Sequence, residues 1–366
     1  MNKFIPISKP SITQLEIDYV TDAVTSTWVS SLGPYIDRFE SEFAKFCGSK
    51  HAIAVSNGTV AIHLAVYASN IGDGDEVIMP NLSFIATANA VKLTGAIPIF
   101  ADIDPFNLCI DPIKIEALIT PRTKAIMPVH LYGHPADMIS INAIAQKYNL
   151  LVIEDAAEAH GASIGGKRVG SWGNCATFSF YGNKNITTGE GGMVTTDDDD
   201  FAAICRYLRD HAMSKEKRYW HTAMGFNYRM TNIQAALGCA QLDRVEELME
   251  KRVKIFKTYE NELSGLKKIM LNRTSSWAQN AYWLVCLELD GYSEVERDVF
   301  MLKLKEKMVD SRPYFYPMSM MPYFNGNPET PVTFEMYKKG INLPSYIDLT
   351  EDEIIYICDT IKELLT

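Results

Sequence analysis

Residues 150–155 read LLVIED. An unbroken apolar run that ends in two acids fits a β-strand covered on both faces, with Glu154 and Asp155 delivered to its carboxyl end. Runs of the same texture recur on either side: HAIAVS (51–56), EVIMP (76–80), AIPIFADI (96–103), KAIMPVHLYG (124–133), CATFSFY (175–181) and GGMVTT (191–196). Helix-period segments lie between several of them. Residues 35–46 place Ile36, Phe39, Phe43 and Phe46 on one stripe after Pro34, and GTVAIHLAVYA (58–68) and ADMISINAIAQKY (136–148) behave likewise. This alternation predicts an α/β architecture: a mainly parallel sheet wrapped by helices. Ligands on such sheets gather at the carboxyl ends of the strands, so the residues just after each run are the ones to inspect.

From residue 231 the texture changes. TNIQAALGCAQLDRVEELMEKRVKIFKTYENEL carries Val245, Leu248, Phe256, Tyr259 and Leu263 among alternating charges, and predicts one long helical stretch bridging to a second domain. The division expected is a large domain over 1–245 and a smaller C-terminal α/β domain over 246–366. The smaller one should hold a strand at 281–289, a helix around 295–309, a Pro- and aromatic-rich patch at 311–324 and a closing helix at 350–364. DDDD (197–200) reads as a solvated turn.

Composition sets limits on function. At 366 residues, with 47% apolar and 22% charged residues, the chain has the make-up of an ordinary folded protein. Its formal charge of −10 argues against binding nucleic acid or an anionic membrane. The opening MNKFIPISKP lacks an apolar signal core, and no stretch approaches the ~18 continuous apolar residues of a membrane span. Seven scattered cysteines without a C-x-x-C pair suggest neither a disulfide framework nor a zinc site, so a reducing cytoplasm is the expected location.

Three features land at strand ends. Asp155 closes LLVIED; taken alone, its commoner use is to cap the turn that follows. SNGT (56–59) opens a helix and offers free N–H groups and a hydroxyl to a phosphate, although it matches neither the Walker loop nor the dinucleotide fingerprint. Lys184 sits in SFYGNKNITTGEGG (179–192), and a lone loop lysine is ordinarily solvated. Together they supply what pyridoxal 5′-phosphate needs: donors without bulk for the phosphate, a carboxylate to keep the pyridine nitrogen protonated, and an amine for the aldehyde.

VSNGTVAIHLA, IEDAAEAHGA, FSFYGNKNITTGEGGM and GFNYRMTNIQAALG, in that order, resemble the DegT/DnrJ/EryC1/StrS sugar aminotransferases, pyridoxal-phosphate enzymes of fold type I. The resemblance spans essentially the whole chain and implies a large domain with a mainly parallel seven-stranded sheet. It implies that Lys184 is the Schiff-base lysine and proton shuttle and that Asp155 pairs with the pyridine nitrogen. Gly58, Thr59 and Ser179 would hold the phosphate, Phe84 would stack on the ring, and Glu158 would stand near the ring hydroxyl where many relatives carry Gln. Asn227 would reach the phosphate of the neighbouring subunit's cofactor, in a homodimer with shared active sites. Arg312 and Tyr314 are candidates for substrate contact; a packed loop of the small domain explains them equally well.

The implied reaction moves the amino group of L-glutamate to the 4-keto carbon of a nucleotide-linked 6-deoxy sugar, with a GDP-linked sugar expected and a UDP- or dTDP-linked one as the alternative. Relatives that replace the lysine by histidine are ketosugar dehydratases; this chain keeps Lys184. A ligand sensor built on the same fold would be expected to carry an added DNA-binding module, for which there is no basic stretch. A nucleotide-binding module using TGEGG lacks the Walker Lys-Ser/Thr signature. His134, His160 and His221 are read as hydrogen-bonded structure, not as catalytic groups.

Overall fold

The computed structural model describes residues 3–324, 326 and 328–365. The seven apolar runs are the seven strands of one sheet, in the order His51–Val55, Gly192–Thr196, Cys175–Ser179, Leu151–Asp155, Thr123–Ile126, Glu76–Pro80 and Ile97–Ala101. All point the same way except Gly192–Thr196, which pairs antiparallel with both of its neighbours. Their central members are buried on both faces, which is why they read as continuous apolar runs and not as alternating ones.

Local signals set the covering helices. Pro34–Cys47 starts on its proline and stops at Gly48, whose φ of 75° only glycine adopts without cost, and it buries Ile36, Phe39, Phe43 and Phe46 as its stripe predicts. Gly58–Ala68 is capped by the Asn57 side chain, which accepts from the Val60 N–H, and is apolar nearly all round because it lies beneath further helices. Asp199–Arg209 is capped by Asp198, so the DDDD run is a helix start and not a simple turn. Its acids favour the positive end of the helix, and Asp199 also binds Lys50 and His51.

A second, antiparallel sheet has the order Ile269–Leu271, Val285–Leu289, Gly340–Leu343 and Arg312–Pro313. It packs with the helices Val245–Glu262, Glu294–Glu306 and Glu351–Leu365 around Phe256, Tyr259, Leu287, Leu304, Ile357 and Ile361. Ile5 joins this core from the other end of the chain, where its N–H donates to the Met308 carbonyl.

Several boundaries differ from the sequence reading. The single stretch expected over 231–263 is two helices, Asn232–Asp243 and Val245–Glu262, interrupted at Arg244 (φ −105°, ψ 7°). The strand expected from 281 starts at Val285, because the preceding residues turn to meet the other lobe, where the Ala281 N–H reaches the Gly133 carbonyl. Of the run 124–133 only Thr123–Ile126 is strand; the remainder crosses the carboxyl edge of the sheet and ends in a short 3-10 turn, Leu131–Gly133.

Candidate active site

Strand ends and first helical turns converge on a cavity of about 560 Å³ at the carboxyl edge of the large sheet. Gly58, Thr59, Phe84, Asp155, Glu158, Ser179 and Lys184 all line it. Its size is that of a pocket for one cofactor and part of a substrate. A roomier cleft of about 990 Å³ runs along the edge strand Ile97–Ala101, but its buried acid, Asp102, is taken up by the N–H groups of Val332 and Thr333 and the Thr333 hydroxyl. Chemistry, not volume, singles out the first.

Adjacent residues on a strand face opposite ways, and this separates the two acids that end LLVIED. Glu154 points away from the cavity and is fully buried. It accepts from His130 Nε2 (3.0 Å) and from the N–H groups of Gly170 (2.9 Å), Trp172 (2.7 Å) and Gly173 (2.8 Å). Burial alone would raise its pKa, but these donors bring it below the ordinary value. Asp155 faces the cavity, where Oδ2 accepts from Thr87 Oγ1 (2.7 Å) and Oδ1 from the Ala157 N–H (3.2 Å). Its pKa is raised by burial, against the pull of Thr87 and Lys184.

Lys184 lies in a tight turn, its N–H donating to the Tyr181 carbonyl (2.9 Å). Nζ stands 3.6 Å from Glu158 Oε1 and 3.6 Å from the centre of the Trp283 ring, with 11% of the side chain exposed. Burial lowers the amine's pKa while Glu158 and Asp155 hold it up. Glu158 is anchored through Oε2 to the Tyr132 N–H (3.0 Å), and burial pushes it up to about 7, with Lys184 opposing. The charge of each thus favours the ionised form of the other.

Pyridoxal phosphate fits these residues. At the helix start the Asn57 cap takes the Val60 N–H and leaves those of Gly58 and Thr59 without intrahelical partners. A Cβ on Gly58 would lie 2.6 Å from Ser179 Cβ, so only glycine lets the helix start and the strand end meet there. A phosphate at this end, an acid at Asp155 and an amine at Lys184 describe the cofactor's three handles, and Phe84, 54% exposed and facing Phe315 at 5.8 Å, offers a flat surface beside them.

The remaining sequence candidates are placed elsewhere. Asn227 lies outside the cavity and accepts from Arg229 Nε (3.1 Å). Arg312 is exposed and paired with Asp310. Tyr314 is 1% exposed, packed 5.1 Å from the Tyr132 ring, and does not line the cavity. Alternation next to the strand Arg312–Pro313 turns Tyr314 into the core and gives the cavity Phe315.

His134 accepts from the Ser275 N–H at Nε2 (3.0 Å), and burial lowers it to about 4. His160 is enclosed by Phe43, Phe178 and Phe180, and burial lowers it to about 3. His221 binds the His211 carbonyl (2.8 Å). Thr87 and Trp283 were missed. Thr87 carries a signal, a hydroxyl in the first turn of the helix Ala86–Leu93 just after Phe84; Trp283, some hundred residues from Lys184 in sequence, carries none.

The profile of the DegT/DnrJ/EryC1/StrS aminotransferase family matches residues 10–362, and the chain belongs to that family. It is a pyridoxal-phosphate-dependent aminotransferase of fold type I. It is 47% identical to the GDP-perosamine synthase of Caulobacter vibrioides over 99% of this chain and 98% of that one. Identity to the GDP-perosamine synthase of Escherichia coli O157:H7 is 44%, over 99% and 98%. The Streptococcus pneumoniae protein Spr1654, solved in a pyridoxal-phosphate form, superimposes with a TM-score of 0.94 at 26% identity, over 99% of this chain and 98% of that one. No helix among the described residues is long and apolar enough to cross a membrane, no acid, His or Cys cluster there could hold a metal, and all seven cysteines are free and buried.

Proposed function

We propose that the chain transfers the amino group of L-glutamate to C4 of a GDP-linked 4-keto-6-deoxy sugar, GDP-4-keto-6-deoxy-D-mannose, and yields GDP-perosamine for a bacterial surface polysaccharide such as the O-antigen. The observation that carries the reading is the meeting of Lys184, Asp155 and the Gly58–Ser179 cradle in one cavity. The choice of sugar rests on near full-length likeness to synthases of that name.

The cofactor supplies an electron sink for negative charge at the carbon that bears the amine. The chain supplies the rest. Gly58, Thr59 and Ser179 would hold the phosphate, Asp155, itself fixed by Thr87, would hold the pyridine nitrogen, and Phe84 would lie beside the ring. Lys184 Nζ would hold the cofactor's aldehyde, and it is the amine placed to take and return a proton at the reacting carbon. Burial lowers its pKa from the ordinary lysine value, which favours the basic, unprotonated amine. Burial of Asp155 and Glu158 beside the nearly enclosed Lys184 limits water at the reacting carbon.

We take the break at Arg244 as the boundary between a cofactor-binding unit over 1–245 and a smaller unit over 246–366. The assembly proposed is a homodimer in which Asn227 serves the partner's phosphate. The exposed apolar residues Ile17, Val24, Trp28, Val29 and Leu32 support it. The same segment is held rigid, since Asn232 Nδ2 donates to the Trp28 carbonyl (2.7 Å) and the Asn232 N–H to that of Ser30 (2.6 Å).

One assay tests the function. Purified holoenzyme should absorb in the visible, lose that band on addition of L-glutamate, and regain it when the GDP-ketosugar follows, with UDP- and dTDP-ketosugars run in parallel. Borohydride should fix the cofactor to the peptide carrying Lys184, and Lys184→Ala should abolish turnover. Recovery with the UDP- or dTDP-sugar alone would overturn the substrate, and a tag on another peptide would overturn the assignment of Lys184.

A further inference from the structure

We propose that Trp283 is a positioning residue for Lys184: its indole face holds the lysine ammonium within reach of Glu158, and so sets both the aim and the proton affinity of the amine. The inference rests on the reading of Lys184 as the cofactor's amine, but its own content is a contact between two side chains of this protein.

The geometry is specific. Nζ lies 3.6 Å from the Trp283 ring centre, inside the range of a cation–π contact, and 3.6 Å from Glu158 Oε1. Trp283 is 4% exposed and fixed by three neighbours. Its Nε1 donates to the carbonyl of Asn183, the residue just before the lysine (2.8 Å); its own carbonyl accepts from Arg252 Nη1 (3.0 Å); and the Tyr132 ring stacks beside it at 6.2 Å and 18°. Tyr132 in turn donates its N–H to Glu158. The indole and the carboxylate are thus two jaws tied to one frame. The small sheet reaches the lysine through this residue, which lies just before the strand Val285–Leu289.

A desolvated ammonium loses its hydration, and an aromatic face returns part of it without adding to Glu158 and Asp155 a further carboxylate that would lock the proton on. During the half of each turnover in which the lysine carries no cofactor, the two jaws define where the free amine rests. The other ionisable groups facing it are Asp155, the last residue of the strand Leu151–Asp155, and His160, in the turn beyond it.

The test uses cofactor-free protein. Competitive acetylation of Lys184 with acetic anhydride, followed across pH by peptide mass spectrometry, reads the amine's titration directly. In Trp283→Leu the midpoint should fall, with labelling roughly ten-fold faster well below the midpoint, and Trp283→Phe should lie between. Protein made with tetrafluorotryptophan keeps the shape and removes the ring's negative face. It should behave like the Leu variant, and it decides the matter if that variant fails to fold. Because Glu158 beside it also titrates, at about 7, the series is repeated in a Glu158→Gln background. Labelling that rises equally at every pH, or a midpoint that does not move, would show that the indole only fills space and would overturn the proposal. Borohydride tagging of holoenzyme at another residue would instead remove the cofactor role of Lys184 and leave the indole contact standing.

Discussion

Glu158 and Asp155 are three positions apart and both buried, yet they are set up for different work. Asp155 takes a hydroxyl and a backbone N–H, the arrangement of an acid kept as an anchor. Glu158 has one backbone donor and the lysine, and its carboxyl sits at about 7 against an ordinary 4.5. In cofactor-free protein this makes stability fall as pH rises. Below about 4.5 both folded and unfolded chains keep the proton. Between there and about 7 the unfolded chain releases it while the folded one retains it, and above that range the loss is complete. Glu158→Gln cannot ionise, so its melting temperature should gain steadily on wild type across that window, measured by thermal melts of cofactor-free protein. Parallel curves would mean that the Lys184 partner cancels the cost of burying the charge.

At the scale of elements, the interruption at Arg244 shows what the residue pattern conveys and what it hides. Arginine is a good helix former, so nothing in the run of charges marks a stop. The break is made by contacts distant in sequence: Arg244 Nη1 reaches the fully buried Glu16 Oε1 (2.6 Å), which also accepts from Gln241 Nε2 (2.7 Å). Arg244→Met would leave that carboxylate with Gln241 and Thr13 but no charged partner. We expect a loss of about 3 kcal/mol, read from the urea midpoint, as for other broken buried pairs; a loss below about 1 kcal/mol would mean that Gln241 and Thr13 carry Glu16 alone.

The same logic explains how far the sequence could be read. The seven strands and the Lys184, Asp155 and Ser179 positions were legible because continuous burial and strand ends leave local marks. Phe315 in place of Tyr314, and Trp283 above the lysine, were not. One depends on the alternation of a two-residue strand, the other on how two sheets are docked.

For the whole molecule, the question is why a chain of net charge −10 leaves a fixed apolar strip in water. Single exposed apolar residues need no cause, but Trp28 at 51% and Leu32 at 68% belong to one segment that Asn232 pins in place, and an ordered apolar surface is costly unless it is covered. A second copy of the chain is the cover we expect. Wild type should sediment as a dimer, and Trp28→Asp combined with Leu32→Asp should give folded monomer. The monomer should also bind pyridoxal phosphate about ten-fold more weakly, the effect of losing one hydrogen bond to a charged group, because Asn227 would no longer reach across. Asn227→Ala should reproduce that weakening while remaining dimeric, as read from sedimentation and cofactor titration together. A monomer with undiminished affinity would show that each site is complete within its own chain.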